Sequence, residues 1–134
     1  CEMIRSVMEG VVFSLRDCLE IIRDMQVPIR EVRASGGGGR SPLWRQMQAD
    51  VFQTPIAVIN SKEGPALGAA LLAGVGAGVY KDVKEACERA IQVVNVQDPI
   101  QENIPVYDKY YELYTDLYPA LKDSYRKVME ISNL

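Results

Sequence analysis

The chain has 134 residues, enough for one compact domain and short for two. With 48% apolar residues, 25% charged residues and a mean hydropathy of −0.07, its composition is that of a globular protein, which excludes a disordered tail or a fibrous repeat. Eighteen Asp and Glu against fifteen Lys and Arg give a net charge of −3, the wrong sign for a nucleic-acid partner, and the absence of histidine excludes Ser-His-Asp sites, Cys-His sites and any His-containing metal cage.

In chain order, Ile4, Val7, Met8, Val11, Val12, Leu15, Leu19, Ile22 and Met25 recur at the spacing of one helical face, with Arg5, Glu9, Arg16, Glu20 and Arg23 elsewhere on the helix. They predict a long amphipathic helix that ends before Pro28. Its start carries no Ser, Thr, Asp or Asn cap, so helical sequence is expected to extend upstream of Cys1. A short strand over 29–35 leads into Gly36-Gly37-Gly38-Gly39-Arg40. Ser41 then reads as an N-cap and Pro42 as the first residue of a helix running past Val51. Residues 54–60 predict a second strand, with Ile56, Val58 and Ile59 apolar and β-branched. The Ala/Gly-rich stretch 63–78 returns to helix, its small residues from Ala66 to Ala77 suited to close packing by another element. Asp82 caps a further helix over 83–93. Residues 94–105 read as a connector holding two prolines, and 107–131 as a last helix that carries six of the seven tyrosines, with a kink expected at Pro119.

Cys1, Cys18 and Cys87 are odd in number and far apart, which predicts reduced thiols and a cytoplasmic protein. The apolar stretch 65–80 falls short of the roughly 20 residues that span a bilayer, so no membrane partner is expected. No signal-peptide pattern precedes it, since Glu2 and Glu9 stand where a basic region would be needed.

The glycine run is the sharpest candidate site. Between a strand and a helix, consecutive glycines let backbone come into contact with a bulky ligand, and the helix N-terminus beyond offers free N–H groups to an anion. The run is neither a P-loop nor a dinucleotide fingerprint, so a phosphate or nucleotide contact and a flexible turn both remain open on spacing alone. The tyrosine stripe could stack bases, but Asp108, Glu112, Asp116 and Asp123 around it favour helix packing. Glu2, Glu9, Asp50 and Glu63 are candidate general bases whose amphipathic setting reads them instead as solvated surface charges. No complete catalytic set and no metal site emerge from the residues themselves.

Three blocks together carry a more specific signal. MIRSVMEGVVFSLR at 3–16 resembles the end of the second signature of the FGGY carbohydrate kinases and the helix after it. GGGGRSPLWRQMQAD at 36–50 is similar to that family's adenosine-motif loop and helix, and EGPALGAALLA at 63–73 to its last core helix. The GRSPLWRQ form and the Tyr-rich tail ending in LYPALK at 117–122 look most like the branch of the family that phosphorylates xylulose.

The resemblance implies an α/β fold: the C-terminal part of a ribonuclease-H-like ATPase domain of the actin/hexokinase type, helix-rich, with a short parallel sheet remnant and C-terminal helices. It implies that residues 1–80 form part of the nucleotide-side domain and 81–134 a helical extension packed on it. Family members are roughly four times this length, with ATP in a cleft between two domains and the aspartate base on the first. By the resemblance, Gly37, Gly38, Gly39 and Ser41 bind the nucleotide, Trp44 lies near the loop, and ATP with Mg²⁺ serves the whole enzyme. Pro42 stands where some relatives carry a nucleotide-contacting asparagine, a contact proline cannot make. Expected partners are ATP, a sugar held by the other domain and a second copy of the chain, since a cut sheet leaves an uncovered edge. The chain alone is expected to be inactive. The alternatives are a kinase for glycerol, gluconate or ribulose, or a non-catalytic actin-like nucleotide-binding module.

Overall fold

The computed structural model describes residues 2–36, 38–61 and 64–132. Cys1, Gly37 and Glu63, all singled out above, lie outside the described residues. The elements run α1 (Glu2–Asp24), β1 (Val32–Ala34), a 3₁₀ turn (Gly38–Arg40), α2 (Pro42–Phe52), β2 (Ile56–Ile59), α3 (Gly64–Gly76), α4 (Val83–Ala90), β3 (Val93–Gln97) and α5 (Ile104–Ser132).

β1 and β2 pair in parallel, Val32 opposite Ile56, with α2 as the crossover that a parallel pair requires. Residues 94–105, expected as a connector, instead begin with strand. β3 runs antiparallel to β2, with Ile56 opposite Gln97 and an irregularity between Val58 and Ile59, so the sheet has three strands in the order β1-β2-β3 and is mixed rather than a parallel pair. Val93, Val94 and Val96 are all exposed, so pairing rather than burial holds this strand. Asn60 fixes its start: its side chain donates to the Ala90 carbonyl and accepts from the Gln92 amide, each at 3.0 Å.

The core lies where α1, α2 and α5 meet over one face of the sheet. Val12, Phe13, Met47, Val51, Phe52, Ile56 and Tyr107 are buried together, with Trp44, Tyr111 and Tyr114 packed against them. Phe13 is the hub, with ring centroids 6.3, 6.0 and 5.4 Å from Tyr107, Tyr111 and Tyr114. Burying such a ring contributes roughly 1.5–3 kcal/mol. The expected face of α1 is only partly used, because Ile4, Val7, Val11, Leu15, Ile22 and Met25 stay exposed while Val12, Phe13 and Arg16 are buried. Arg16, placed on the polar side by periodicity, lies 4.2 Å over the Tyr111 ring and donates to Asp108 at 2.7 Å.

Helix packing accounts for Tyr107, Tyr111 and Tyr114, whereas Tyr110, Tyr118 and Tyr125 remain exposed. α5 stays helical through Pro119. Although α3 contacts α4, most of its small residues stay exposed: Leu71 is its buried residue, and a Cβ on Gly68 would meet nothing within 4 Å. Close approach is confined to Gly74, against the Tyr80 ring.

Asp50 is a second correction. Far from being solvated, it is 2% exposed. Its carboxylate accepts from the Ile100 amide, the Asn103 side chain and the Gln46 side chain, each at 2.7 Å. It anchors the segment before α5 to α2, and its acceptor capacity is spent on that role.

Candidate functional site

The turn between β1 and α2 is where local sequence chemistry is most exacting. Gly36 has φ +72°, the left-handed conformation that glycine adopts without strain. Gly38 opens the 3₁₀ turn. Gly39 is buried, and a Cβ there would sit 3.0 Å from the Ala34 carbonyl oxygen, so glycine lets the turn press this closely against β1. Ser41 is the N-cap of α2, its Oγ accepting from the Trp44 amide at 3.3 Å, and Pro42 begins the helix as expected.

Two hollows meet at this turn. The smaller, about 380 Å³, lies between α1, β1 and α2 and is mostly apolar, lined by Leu15, Leu19, Ile22, Val32 and Trp44. The larger, about 580 Å³, opens between the turn and the ends of β2 and β3, lined by Ser35, Gly36, Gly39, Arg40, Arg45 and Asn60 among others. No carboxylate stands among the described residues of its lining, and two arginines do. Combined with the positive end of an eleven-residue helix, this makes the larger hollow an environment for an anion.

Arg45 is the residue that sequence reasoning passed over. It is 9% exposed and donates from Nη1 to the Gly39 carbonyl at 2.6 Å, while its Nε has no hydrogen-bond partner. The available signal was its place four residues after the Ser41 cap, where a helical side chain reaches back over the preceding turn.

Of the other candidates, Glu9 and Asp50 do not join the site. Glu9 pairs with Arg5 at 2.8 Å and accepts from the Tyr107 hydroxyl at 3.3 Å, across the α1–α5 contact. Burial pushes the Tyr107 phenol above its ordinary range, although the Arg5 hydrogen bond opposes the shift. Tyr111 is raised first by burial and then by donating to Asp17 at 2.7 Å. Both are consequences of packing. Among the described residues no group of three or more Cys, Asp and Glu side chains could hold a metal ion, and no helix is long and apolar enough to cross a membrane.

Comparison with known proteins identifies the family. Residues 1–77 match the FGGY family of carbohydrate kinases, C-terminal domain. The chain is 36% identical over 129 residues to a xylulose kinase of Staphylococcus epidermidis, covering 96% of this chain and 26% of that protein. It is 36% identical over 115 residues to a ribulokinase of Mycolicibacterium smegmatis, covering 85% of this chain and 20% of that protein. Two solved structures from Lactobacillus acidophilus align with 31% identity over 95% of this chain and 26% of theirs: a ligand-bound xylulose kinase at TM-score 0.83 and a gluconate kinase at 0.82. The chain thus spans about a quarter of the length of the curated xylulose kinase. Family match and overall fold agree, and the chain belongs to the FGGY family of carbohydrate kinases, as a fragment of its C-terminal domain.

Proposed function

We propose that this chain is the nucleotide-side part of an ATP-dependent sugar kinase that converts D-xylulose to D-xylulose 5-phosphate. The observation that carries the reading is the larger hollow at the β1–α2 turn: glycine backbone, two arginines and a helix N-terminus, with no carboxylate in its described lining. FGGY kinases use ATP, which supplies the γ-phosphoryl group, with Mg²⁺ neutralising charge on the phosphates during transfer. In this proposal the backbone of Gly37, Gly38 and Gly39 approaches the phosphates and ribose. Ser41 keeps α2 capped, so that the helix end stays aimed at the anion. In the whole kinase Mg²⁺ would accompany the nucleotide, held mainly by its phosphates and by water. The chain binds and orients, and the sugar and the base that deprotonates it belong to another domain, so this chain alone is expected to show no sugar phosphorylation.

Xylulose is favoured over other sugars by the GRSPLWRQ form of the loop and the LYPALK tail. A second reading, a kinase for ribulose, gluconate or glycerol, is favoured by the ribulokinase and gluconate kinase similarities. A non-catalytic nucleotide-binding module would bind ATP without transfer. An ADP-release assay on the whole kinase across these sugars separates the readings: the highest kcat/KM is expected with D-xylulose, a preference for another sugar overturns the substrate, and no release with any sugar overturns the kinase. Gly38→Val in that kinase is expected to raise the ATP KM about tenfold or more and leave the sugar KM unchanged, and an unchanged ATP KM would make the turn a mere connector.

A further inference from the structure

We infer that Arg45 is a positioning residue for the nucleotide loop, holding the Gly39 peptide in place from inside α2. The inference rests on the reading of the β1–α2 turn as the nucleotide site. Arg45 enters the helical ladder at its start, its own amide donating to the Ser41 carbonyl at 3.1 Å. Its side chain returns toward the turn and puts Nη1 2.6 Å from the Gly39 carbonyl oxygen, a buried and charge-assisted hydrogen bond. No ion pair is formed by this guanidinium among the described residues, and Nε is left without a partner. A buried cation without a carboxylate is expensive, and a methionine of similar volume would fill the same space without that cost.

The contacts explain what the cation does there. Gly39 is gripped on two sides. On one, its Cα lies so close to β1 that a Cβ would stand 3.0 Å from the Ala34 oxygen; on the other, its carbonyl is held by Arg45. All the described peptide bonds are trans, so fixing the Gly39 carbonyl toward Arg45 turns the Arg40 amide N–H the opposite way. Arg45 therefore fixes the plane of the Gly39–Arg40 peptide from inside α2. Gly39 and Arg45 line the same hollow, so loop and clamp form one unit.

The test compares Arg45→Met and Arg45→Lys with the parent in the whole kinase, by steady-state kinetics and by tryptic cleavage of the Arg40–Ser41 bond without nucleotide. Arg45→Met is expected to raise the ATP KM about tenfold or more with the sugar KM unmoved, and to speed cleavage after Arg40 relative to cleavage after Arg126 in α5. Arg45→Lys, which retains one donor, is expected to recover part of both effects. Should Arg45→Met fail to fold, the lysine variant carries the test with intermediate values. Unchanged cleavage and unchanged ATP KM overturn the inference; so does a loss shared equally by ATP and sugar that lysine does not rescue, the mark of a merely structural residue. A parent that phosphorylates no sugar refutes the kinase reading, whereas the cleavage comparison still decides whether Arg45 holds the loop.

Discussion

Replacing Asp50 tests the reasoning about the fold most directly. Its carboxylate, 2% exposed, accepts three hydrogen bonds of 2.7 Å, two of them from Ile100 and Asn103 about fifty positions further along the chain. Asp50→Ala strands all three donors. Charge-assisted bonds contribute roughly 1.5–3 kcal/mol each, but water can reach Gln46, whose side chain also donates to the exposed Asp98 carbonyl. The net loss is therefore about 3–5 kcal/mol, the range for breaking a buried charged network. For a chain of this size each kcal/mol moves the midpoint by roughly 3–5 °C, so thermal unfolding followed by circular dichroism should fall by about 10–20 °C. Asp50→Asn keeps one oxygen toward Ile100 and Gln46 and loses less, about 1–2 kcal/mol. A drop of less than about 1 kcal/mol for the alanine variant, or a larger loss for asparagine than for alanine, would refute the anchoring role. In a double-mutant cycle, Asp50→Ala and Asn103→Ala should fall well short of additivity, because they remove the same contact.

Ser41→Ala removes the N-cap of α2 and should cost about 1 kcal/mol in a urea titration, with ATP affinity falling only modestly because the Oγ is already engaged with Trp44. A large loss of ATP affinity at unchanged stability would mean that the hydroxyl contacts the nucleotide itself. The raised pKa of Tyr111 means that the folded state keeps its phenolic proton where the unfolded chain loses it, so its contribution is complete below pH about 10 and declines as pH rises beyond. Tyr111→Phe should flatten the alkaline fall in stability while lowering stability at neutral pH through loss of the Asp17 hydrogen bond, and an alkaline limb of unchanged steepness would contradict the assignment.

What was legible in the sequence was local. Ser41 and Asp82 announce their helices because a cap needs only the next three residues, and both side chains accept the expected amides. The glycine turn is local in the same sense. β3 was not legible: Val93, Val94 and Val96 face solvent on both sides, so no alternation betrays a strand whose partner lies more than thirty positions away. Asp50 looked like any acid on an amphipathic helix because two of its three partners, Ile100 and Asn103, come from the far side of β3. Arg16 was misassigned for a related reason, as its cover, Tyr111 and Asp108, arrives from α5. In the candidate site the glycines stood out by composition, whereas Arg45 emerged only when its side chain was seen to return to the turn.

The latch between α1 and α5 has a consequence for synthesis. Arg16 waits for Asp108, and Asp17 for Tyr111, partners 92 and 94 positions later in the chain. At ordinary translation speeds of about 5–20 residues per second, the first helix spends roughly 5–20 s outside the ribosome with Phe13 uncovered. During that interval the helix presents an apolar face to chaperones and to neighbouring nascent chains. The layer that closes over α1 and α2 is thus made well after α1 itself, and destabilising changes in α5 should reduce soluble yield before they alter any property of the finished fold.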